Sequence, residues 1–594
     1  MTMIRLIISI LFIVSAGLNS YGQAKLDLMT DMENNILQIR QNAGTDSILS
    51  NLLKSAKIKE DTVYAFMYRP GDCPRCEAGF KTFRKLLHEK GKKFTLISVF
   101  KNAAVSDYYN KMKGYEADYY INDTTDVCLQ IFSFNNIPLD GSNVLKMTKS
   151  GRLITGGEYT ILDKSFVDQL IKKNQPLAYH TYNNDSKIEN CLDNNNYKPA
   201  IIEADDTIRF VKTYPLKTDG IPMCAINRAP LWKNSTLICP DDVLNAVFVF
   251  RENEHKQCMK FDKLLDVEGD YKNQFITIEE NLKNSYEQRG MLFYILCDAD
   301  IDDNGDILIS ASLPLVKYMD EKKEEVGLFN QPCIIRHFSD RIRKEEVIPL
   351  EFNLFKDDYF YKHFQISTIG NHLIIGCQQL TWPMDYEAEE YRGIASKDPF
   401  MAEYYRYNHP TMACFNSTSG TLEKRFGQLD ASAAYTKTGY YYVTQLSATH
   451  DHEIAFTDGY SGKIYVCDST DINSPKASYQ AFSLNTPDVK QLTDTTLYYT
   501  YEHAGKFQKH FNRNIVDMQF NEDEICCLIA IETMEGATHE MAMVRINRHT
   551  LQTHTTFIPK SSDDICLGFK ITGSSIRLFK IVSDHNQYKV RVSS

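Results

Sequence analysis

TVYAFMYRPGDCPRCEAGF, residues Thr62 to Phe80, joins an unbroken apolar run to two cysteines spaced two apart. Thr62 to Tyr68 reads as a strand buried on both faces, because no polar residue interrupts it. Cys73 and Cys76 follow at once, and Glu77 to Lys90 then carries Phe80, Phe83 and Leu87 at helical spacing. That order puts Cys73 at the start of a helix, where unpaired backbone N–H groups and the positive end of the macrodipole favour an anion. A thiolate is the nucleophile of disulfide exchange, so this is the position at which a redox cysteine gains acidity. Pro74 suits a first helical position. Arg75 sets a fixed positive charge between the cysteines, Arg69 adds another, and the charge of Asp72 works against both.

Working outward, a helical lead-in covers roughly Leu26 to Lys57, and Gly91 ends the helix after the cysteines as a C-cap glycine does. FTLISVF, Phe94 to Phe100, is a second apolar strand, and Ala104 to Lys113 a second helix. Asn143 to Gly157 reads as a hairpin turning at Ser150-Gly151. Ser165 with Asp168 makes a capping box for a last helix through Lys173. Strands alternating with helices imply an α/β layer structure.

From Lys57 to Asn174 this pattern, with CPRC between strand and helix, resembles the thioredoxin superfamily, especially its exported thiol-disulfide oxidoreductases and peroxiredoxin-like relatives. The resemblance implies a thioredoxin-like fold, Cys73 as the attacking thiolate and Cys76 as the resolving thiol, with Arg75 and Pro74 as supporting residues and Asp72 beside Cys73 tempering its acidity. Asp72 stands where thioredoxins carry a tryptophan. The family's cis-proline corresponds to Pro138 if about four extra residues, LDGS, are allowed, or to Ser142 if Gly151 is matched to the family's hairpin glycine. Two other readings of CPRC stand beside this one. A structural zinc site wants four ligands, and there is no second CxxC. An idle pair in a domain kept for binding is the other.

The chain has 594 residues, 43% hydrophobic and 12% aromatic, with 35 Tyr and 32 Phe against 2 Trp. That composition suits folded, strand-rich structure and length for several cores. A net charge of -11 without a long run of Lys and Arg speaks against nucleic acid as a partner. Residues 1–22 have the layout of a signal peptide: Arg5, an apolar stretch from Leu6 to Leu18, then Ser20 and Gly22 before the cut. No lipid-accepting cysteine stands there and no later run is long enough to span a bilayer, so a soluble periplasmic or secreted chain is expected. Most of the 15 cysteines sit singly inside apolar runs such as FYILCDA, KIYVCDS and EICCLIA, as small buried hydrophobes do.

Residues 23–181 form the first expected domain and the Asn- and Asp-rich stretch 182–198 a linker. From 199 to 594 the texture is short strands between turns. A weak repeat of turn residues followed by an apolar strand occurs at Asn234, Gly305, Gly370, Gly439, Glu522 and Gly573. Six units, each too small to bury its own face, suggest a radial repeat, and the pattern resembles the six-bladed propellers of the NHL and related families. The fold class expected is therefore an α/β thioredoxin-like domain followed by an all-β six-bladed propeller. DTIRFVKTYPL, starting at Asp206, is expected to complete the last sheet and close the ring.

Three further stretches bear on function. DADIDDNGDI, Asp298 to Ile307, has calcium-loop spacing at first sight, but Ala311 replaces the closing glutamate, so an Asp-rich turn is favoured. HDHE, His450 to Glu453, offers two histidines without a nameable third ligand and reads as an exposed turn. The stretch Trp382 to Pro410 interrupts one sheet with Trp382, Tyr386, Tyr391, Arg392, Tyr404, Tyr405 and Arg406, residue types that dominate contact surfaces. The function expected is an exported thiol-disulfide oxidoreductase, reductase or isomerase in type, whose propeller docks a protein thiol or disulfide client or an envelope partner, with no cofactor or metal. The alternative is a binding or scaffold propeller with an idle CPRC. A propeller glycan hydrolase or lyase would need paired carboxylates on the axis.

Overall fold

The computed structural model describes residues 43–70, 74–100, 102–124, 143–158, 164–172, 204–224, 229–253, 258–267, 295–318, 325–340, 345–351, 359–360, 365–376, 378–379, 410–428, 445–457, 459, 461–482, 513–532, 539–559, 564–572, 575–584 and 587–593. They fall into two compact units, one within Met1–Ser186 and one drawn from Lys187–Ile278 and Phe293–Ser594. The expected signal peptide and linker lie outside the described residues. Among the described residues no helix is long and apolar enough to cross a membrane.

The first unit is built from strands β1 (Thr62–Tyr68), β2 (Phe94–Val99), β3 (Tyr119–Asp123), β4 (Asn143–Thr148) and β5 (Leu153–Glu158) with helices α1 (Ala43–Ser55), α2 (Pro74–Glu89), α3 (Ala103–Met112) and α4 (Lys164–Lys172). The sheet order is β3-β2-β1-β4-β5. β2 runs parallel to β1 and to β3, whereas β4 runs antiparallel to β1 and to β5. β1 is central, and its alternation divides two cores. Val63, Ala65 and Met67 join Leu49 and Leu53 of α1 on one face. Phe66 meets Phe80 and Phe83 of α2 on the other, where Tyr115 also packs edge to face with Tyr68 and Tyr109. An apolar run without polar breaks is what a strand covered on both faces requires. Gly91, at φ +66°, closes α2 with its N–H on the His88 carbonyl at 2.9 Å. The hairpin turns at Gly151, as its spacing predicts. The Ser165–Asp168 capping box does not form at the helix end, because α4 already begins at Lys164 and the Asp168 carboxylate pairs with Lys90 at 2.6 Å.

The second unit is a propeller-like succession of antiparallel sheets. The first contains β8 (Leu231–Lys233), β9 (Thr236–Asp241), β10 (Ala246–Asn253) and β11 (Cys258–Asp266); the second β12 (Ile295–Ile301), β13 (Ile307–Tyr318), β14 (Glu325–His337) and β15 (Glu346–Pro349). A two-stranded pair, β16 (Tyr359–Phe360) with β19 (Gln378–Gln379), accompanies the third, which holds β17 (Ile366–Ile369), β18 (His372–Gly376), β20 (Pro410–Asn416) and β21 (Leu422–Gln428). The fourth holds β22 (Leu446–His450), β23 (Glu453–Thr457), β24 (Lys463–Asp468) and β25 (Ala477–Gln480); the fifth β26 (Arg513–Phe520), β27 (Glu524–Glu532), β28 (His539–Asn547) and β29 (Thr553–Ile558). The sixth holds β30 (Asp564–Thr572), β31 (Ser575–Asp584) and β32 (Gln587–Ser593). Inner strands touch in sequence, β9 with β12, then β17, β22, β26 and β30, and β30 returns to β8.

The ring closes with chain from the start of the unit. β7 (Phe210–Leu216) lies antiparallel to β32, pairing Tyr214 with Val590, and so adds a fourth strand to the sixth sheet as expected; it also pairs in parallel with β11, Leu216 with Met259, which joins the sixth and first sheets into one eight-stranded sheet. The preceding β6 (Asp206–Thr207) does not join that sheet. It pairs in parallel with β29, where the Asp205 N–H reaches the Thr555 carbonyl, so the incoming chain edges two neighbouring sheets in turn.

Each sheet is apolar on both faces. In β27, Ile525, Cys527 and Ile529 pack toward the fourth sheet, whereas Cys526 and Leu528 pack toward the sixth. In β18, Leu373 and Ile375 face the second sheet and Ile374 the fourth. The eight described free cysteines are buried, which fits their reading as small hydrophobes. The repeat needs one correction. The turn that opens the fourth sheet's hairpin is Asp451, at φ +51°, within HDHE, and Gly439 lies outside the described residues.

Candidate functional site

β1 leaves the centre of its sheet at Tyr68, and α2 begins at Pro74. Pro74, Arg75 and Cys76 therefore occupy the first turn, where backbone N–H groups have no intrahelical acceptor. The helix starts three residues earlier than the apolar spacing alone suggests, as a proline at N1 allows. Phe80 and Phe83, both buried against Phe66, hold the helix on the strand that feeds it. Asp72, Cys73 and Pro138 lie outside the described residues.

A second constellation lies on the inner strands of the propeller-like unit, and the sequence marked two of its members, Asp298 and Asp300, only as part of an Asp-rich turn. Asp298 and Asp300 are two apart on β12 and share a face. Asp298 Oδ2 accepts the Ile366 N–H at 3.1 Å, and Asp300 Oδ2 accepts the Thr368 N–H and hydroxyl at 3.0 Å each. Both carboxylates thus satisfy the free edge of β17, the inner strand of the next sheet. Polar contacts continue around the ring: the Ser367 hydroxyl donates to the Ser447 carbonyl at 2.8 Å, and the Thr449 hydroxyl to the Thr368 carbonyl at 2.7 Å.

Asp517 is the third member, on β26. A β-bulge immediately precedes Asp298 and another precedes Asp517, and such bulges turn a side chain away from its regular direction. Burial, to which the charge of Asp298 adds, pushes the Asp517 carboxyl up to about 7 against the pull of the Met518 N–H at 2.8 Å. Burial also raises Asp300, against the nearby Lys233 charge and its own hydrogen bonds. All three are partly buried, and the surrounding protein desolvates Asp300 and Asp517. A carboxyl that titrates near neutrality can give or take a proton at physiological pH. The signal in the sequence was charge where strands are otherwise apolar, as in ILCDADI and NIVDMQF.

The Asp-rich turn is a turn: Asp302 Oδ1 accepts the N–H groups of Asn304 and Asp306 at 2.9 Å, and Gly305 adopts φ +80°. His450 packs its ring on Phe520, and Glu453 pairs with Arg548 at 2.9 Å and with Lys476. HDHE is thus a hairpin turn, without a third ligand for its histidines among the described residues. Trp382, Tyr386, Tyr391, Arg392, Tyr404, Tyr405 and Arg406 lie outside the described residues, between β19 and β20.

No family model matches the sequence, and no curated protein does. Among solved structures, a Bacteroides fragilis protein designated as exported is similar at TM-score 0.35 and 10% identity, over 66% of this chain and 97% of its own. A luciferin-regenerating enzyme is similar at TM-score 0.31 and 9% identity, over 64% and 95%. The Dos1 propeller follows at TM-score 0.26 and 8% identity, over 66% and 82%. Scores this low carry no argument, and the fold rests on the sheet topology itself.

Proposed function

We propose that the chain is an exported thiol-disulfide oxidoreductase of reductase or isomerase type, with a thioredoxin-like domain over 23–181, a linker over 182–198 and a six-bladed propeller over 199–594 that docks a protein client or envelope partner. The observation that carries this reading is the start of α2 at Pro74, between the two cysteines, directly after the central strand of a mixed five-stranded sheet. In the exchange, the Cys73 thiolate attacks a client disulfide, one client sulfur leaves and takes a proton, and a mixed disulfide forms. Cys76, as thiolate, then attacks the Cys73 sulfur. The client leaves with both thiols, and Cys73 and Cys76 are joined, so two electrons have passed to the client.

Redox titration of the mature protein with thiol trapping tests this. Cys76→Ser should hold clients as stable mixed disulfides, and Cys73→Ser should capture none. If Cys73 alkylates no faster than a free thiol with a pKa of about 8.5, or if no mixed disulfide forms, the alternative of a binding propeller with an idle pair stands.

Asp298, Asp300 and Asp517 favour a second reading, an acid–base site on the propeller axis of the kind glycan hydrolysis or elimination needs. Polysaccharide turnover that survives Cys73→Ser and is lost in Asp517→Asn would establish it. Absence of turnover across neutral and acidic glycans would remove it.

A further inference from the structure

Strand register brings His372, Cys414 and Glu423 to one face of the third sheet. Cys414 of β20 pairs with Ile374 of β18, and Asn416 pairs with His372, so His372 stands diagonal to Cys414 on the same side. On the other flank Cys414 pairs with Lys424 but Phe415 pairs with Leu422, leaving Glu423 as the extra residue of a bulge. The bulge swings Glu423 onto the Cys414 face instead of the Phe415 face, where strict alternation would put it. His372 Nδ1 lies 2.7 Å and Cys414 Sγ 3.7 Å from Glu423 Oε2, and the three ligand atoms all lie within 4.8 Å of one another.

We propose that His372 Nδ1, Cys414 Sγ and the Glu423 carboxylate form a binding site for one Zn2+ ion, with the fourth position open to solvent. Nitrogen, sulfur and oxygen donors in one cluster match the borderline character of zinc better than that of calcium or magnesium. Tetrahedral zinc with ordinary bond lengths sets its N and O ligands about 3.3 Å apart and its S and O ligands about 3.6 Å apart. The sulfur-to-oxygen spacing already fits, and the histidine must open by about 0.6 Å, a small side-chain rotation. The carboxylate is also held from behind. Asn416 Nδ2 donates to Glu423 Oε1 at 3.3 Å, while Asn416 Oδ1 accepts the N–H groups of Thr418 and Ser419 at 3.0 Å, which fixes the amide's orientation. Access is assured on one side: the side chains of His372 and Glu423 are 41% and 34% exposed, whereas Cys414 is buried at 5%.

Burial, with the Glu423 charge adding, pushes the Cys414 thiol up to about 12, so without metal the thiol keeps its proton and donates it toward Glu423. On zinc binding the S–H bond breaks, the S–Zn bond forms, the proton leaves to solvent and no electron changes hands.

The test uses the untagged mature chain carrying Cys73→Ser and Cys76→Ser, so that CPRC cannot hold the metal. Zinc titration calorimetry should give one site, and Co2+ in its place should give a thiolate-to-cobalt charge-transfer band. Cys414→Ser should abolish the band, and Glu423→Gln, an exposed change that keeps the shape and spares the core, should weaken zinc binding on the order of a hundredfold. Asn416→Ala should weaken it about tenfold. No site in the background protein overturns the proposal. A band that survives Cys414→Ser, or zinc affinity unmoved by Glu423→Gln, overturns it equally, and would leave the three residues as a hydrogen-bonded cluster.

Discussion

Deleting Gln587 to Ser594 removes β32 and with it the strand pairing through which β7 joins the two ends of the propeller-like unit. Val590 and Val592 are 0% and 1% exposed and Tyr588 only 7%, with the Tyr588 hydroxyl accepting the Met223 N–H at 2.9 Å. At about 1.5–3 kcal/mol for each large buried side chain, these three hold roughly 5–9 kcal/mol. A whole domain has a net stability of only about 5–15 kcal/mol. The deletion also strips β7 of its antiparallel partner and bares the edge of β31. In a ring each sheet is covered by two neighbours, so opening one seam uncovers two faces and the loss propagates. Trp232 reports the seam beside it, because it packs edge-on against Phe579 of β31 at 5.3 Å. With Trp382→Phe as background, Trp232 fluorescence and near-UV circular dichroism should lose their common thermal transition or show it lowered by at least about 10 °C. A truncated protein that melts at the parent temperature, with Trp232 unchanged, would refute ring closure through β7 and β32.

The raised Asp517 carboxyl binds a proton in the native state that the unfolded chain releases near pH 4, so it favours folding at acid pH and costs stability as pH rises through about 7. Asp517→Asn should therefore stabilise the protein by about 2–4 kcal/mol at pH 8 and by little at pH 4, and melting curves showing an equal gain at both pH values would contradict it. Gly420 sits at φ +72° with the Pro349 carbonyl oxygen 2.1 Å from where a Cβ would stand, so Gly420→Ala should cost at least about 2 kcal/mol in urea unfolding, and a neutral outcome would disprove the close approach. Burial pushes the thiols of Cys414 and Cys526 up to about 12 and that of Cys467 up to about 11. Iodoacetamide at pH 7 should label Cys73 of the native reduced protein well ahead of these, as peptide mass spectrometry would read, and prompt labelling of Cys526 would count against the packing of β27.

Where sequence and structure agree, one physical rule acts alone. Thr62 to Tyr68 is buried on both faces, so its composition needs no knowledge of what covers it. The apolar run of β27 reads the same way, and its two cysteines disappear into opposite cores. Helix α2 was legible in its body, from Phe80 and Phe83, but its start was set by Pro74, whose missing N–H is tolerated only at such an end. The fourth turn was misplaced at Gly439 because glycine is the usual route to positive φ; the hairpin uses Asp451, one of the few non-glycine residue types that enter that region readily. The capping box failed for a non-local reason, since Asp168 answers to Lys90, far off in sequence.

The grouping of residues in both candidate constellations of the propeller-like unit was hidden for a shared reason, and it tells how such sites can be found. A sheet buried on both faces makes its strands apolar at every position, so periodicity disappears and polar residues are left as the only marks. In β12 those marks are Asp298 and Asp300, in β17 Ser367 and Thr368, in β26 Asp517. Each lies on an inner strand, and each either satisfies a neighbouring sheet's free backbone edge or lines the interior. On the third sheet the mark is a pairing that slips by one residue, which adds Glu423 to a face already holding His372 and Cys414. Neither feature follows from local propensity, because bulges and inter-sheet hydrogen bonds are properties of the pairing. A carboxylate in a strand that is otherwise unbroken by polarity costs folding energy unless something there uses it. The inner-strand aspartates meet part of that cost by hydrogen bonding to β17. Asp517 has only the Met518 N–H as its described donor, and it is the member whose proton affinity is raised to neutrality.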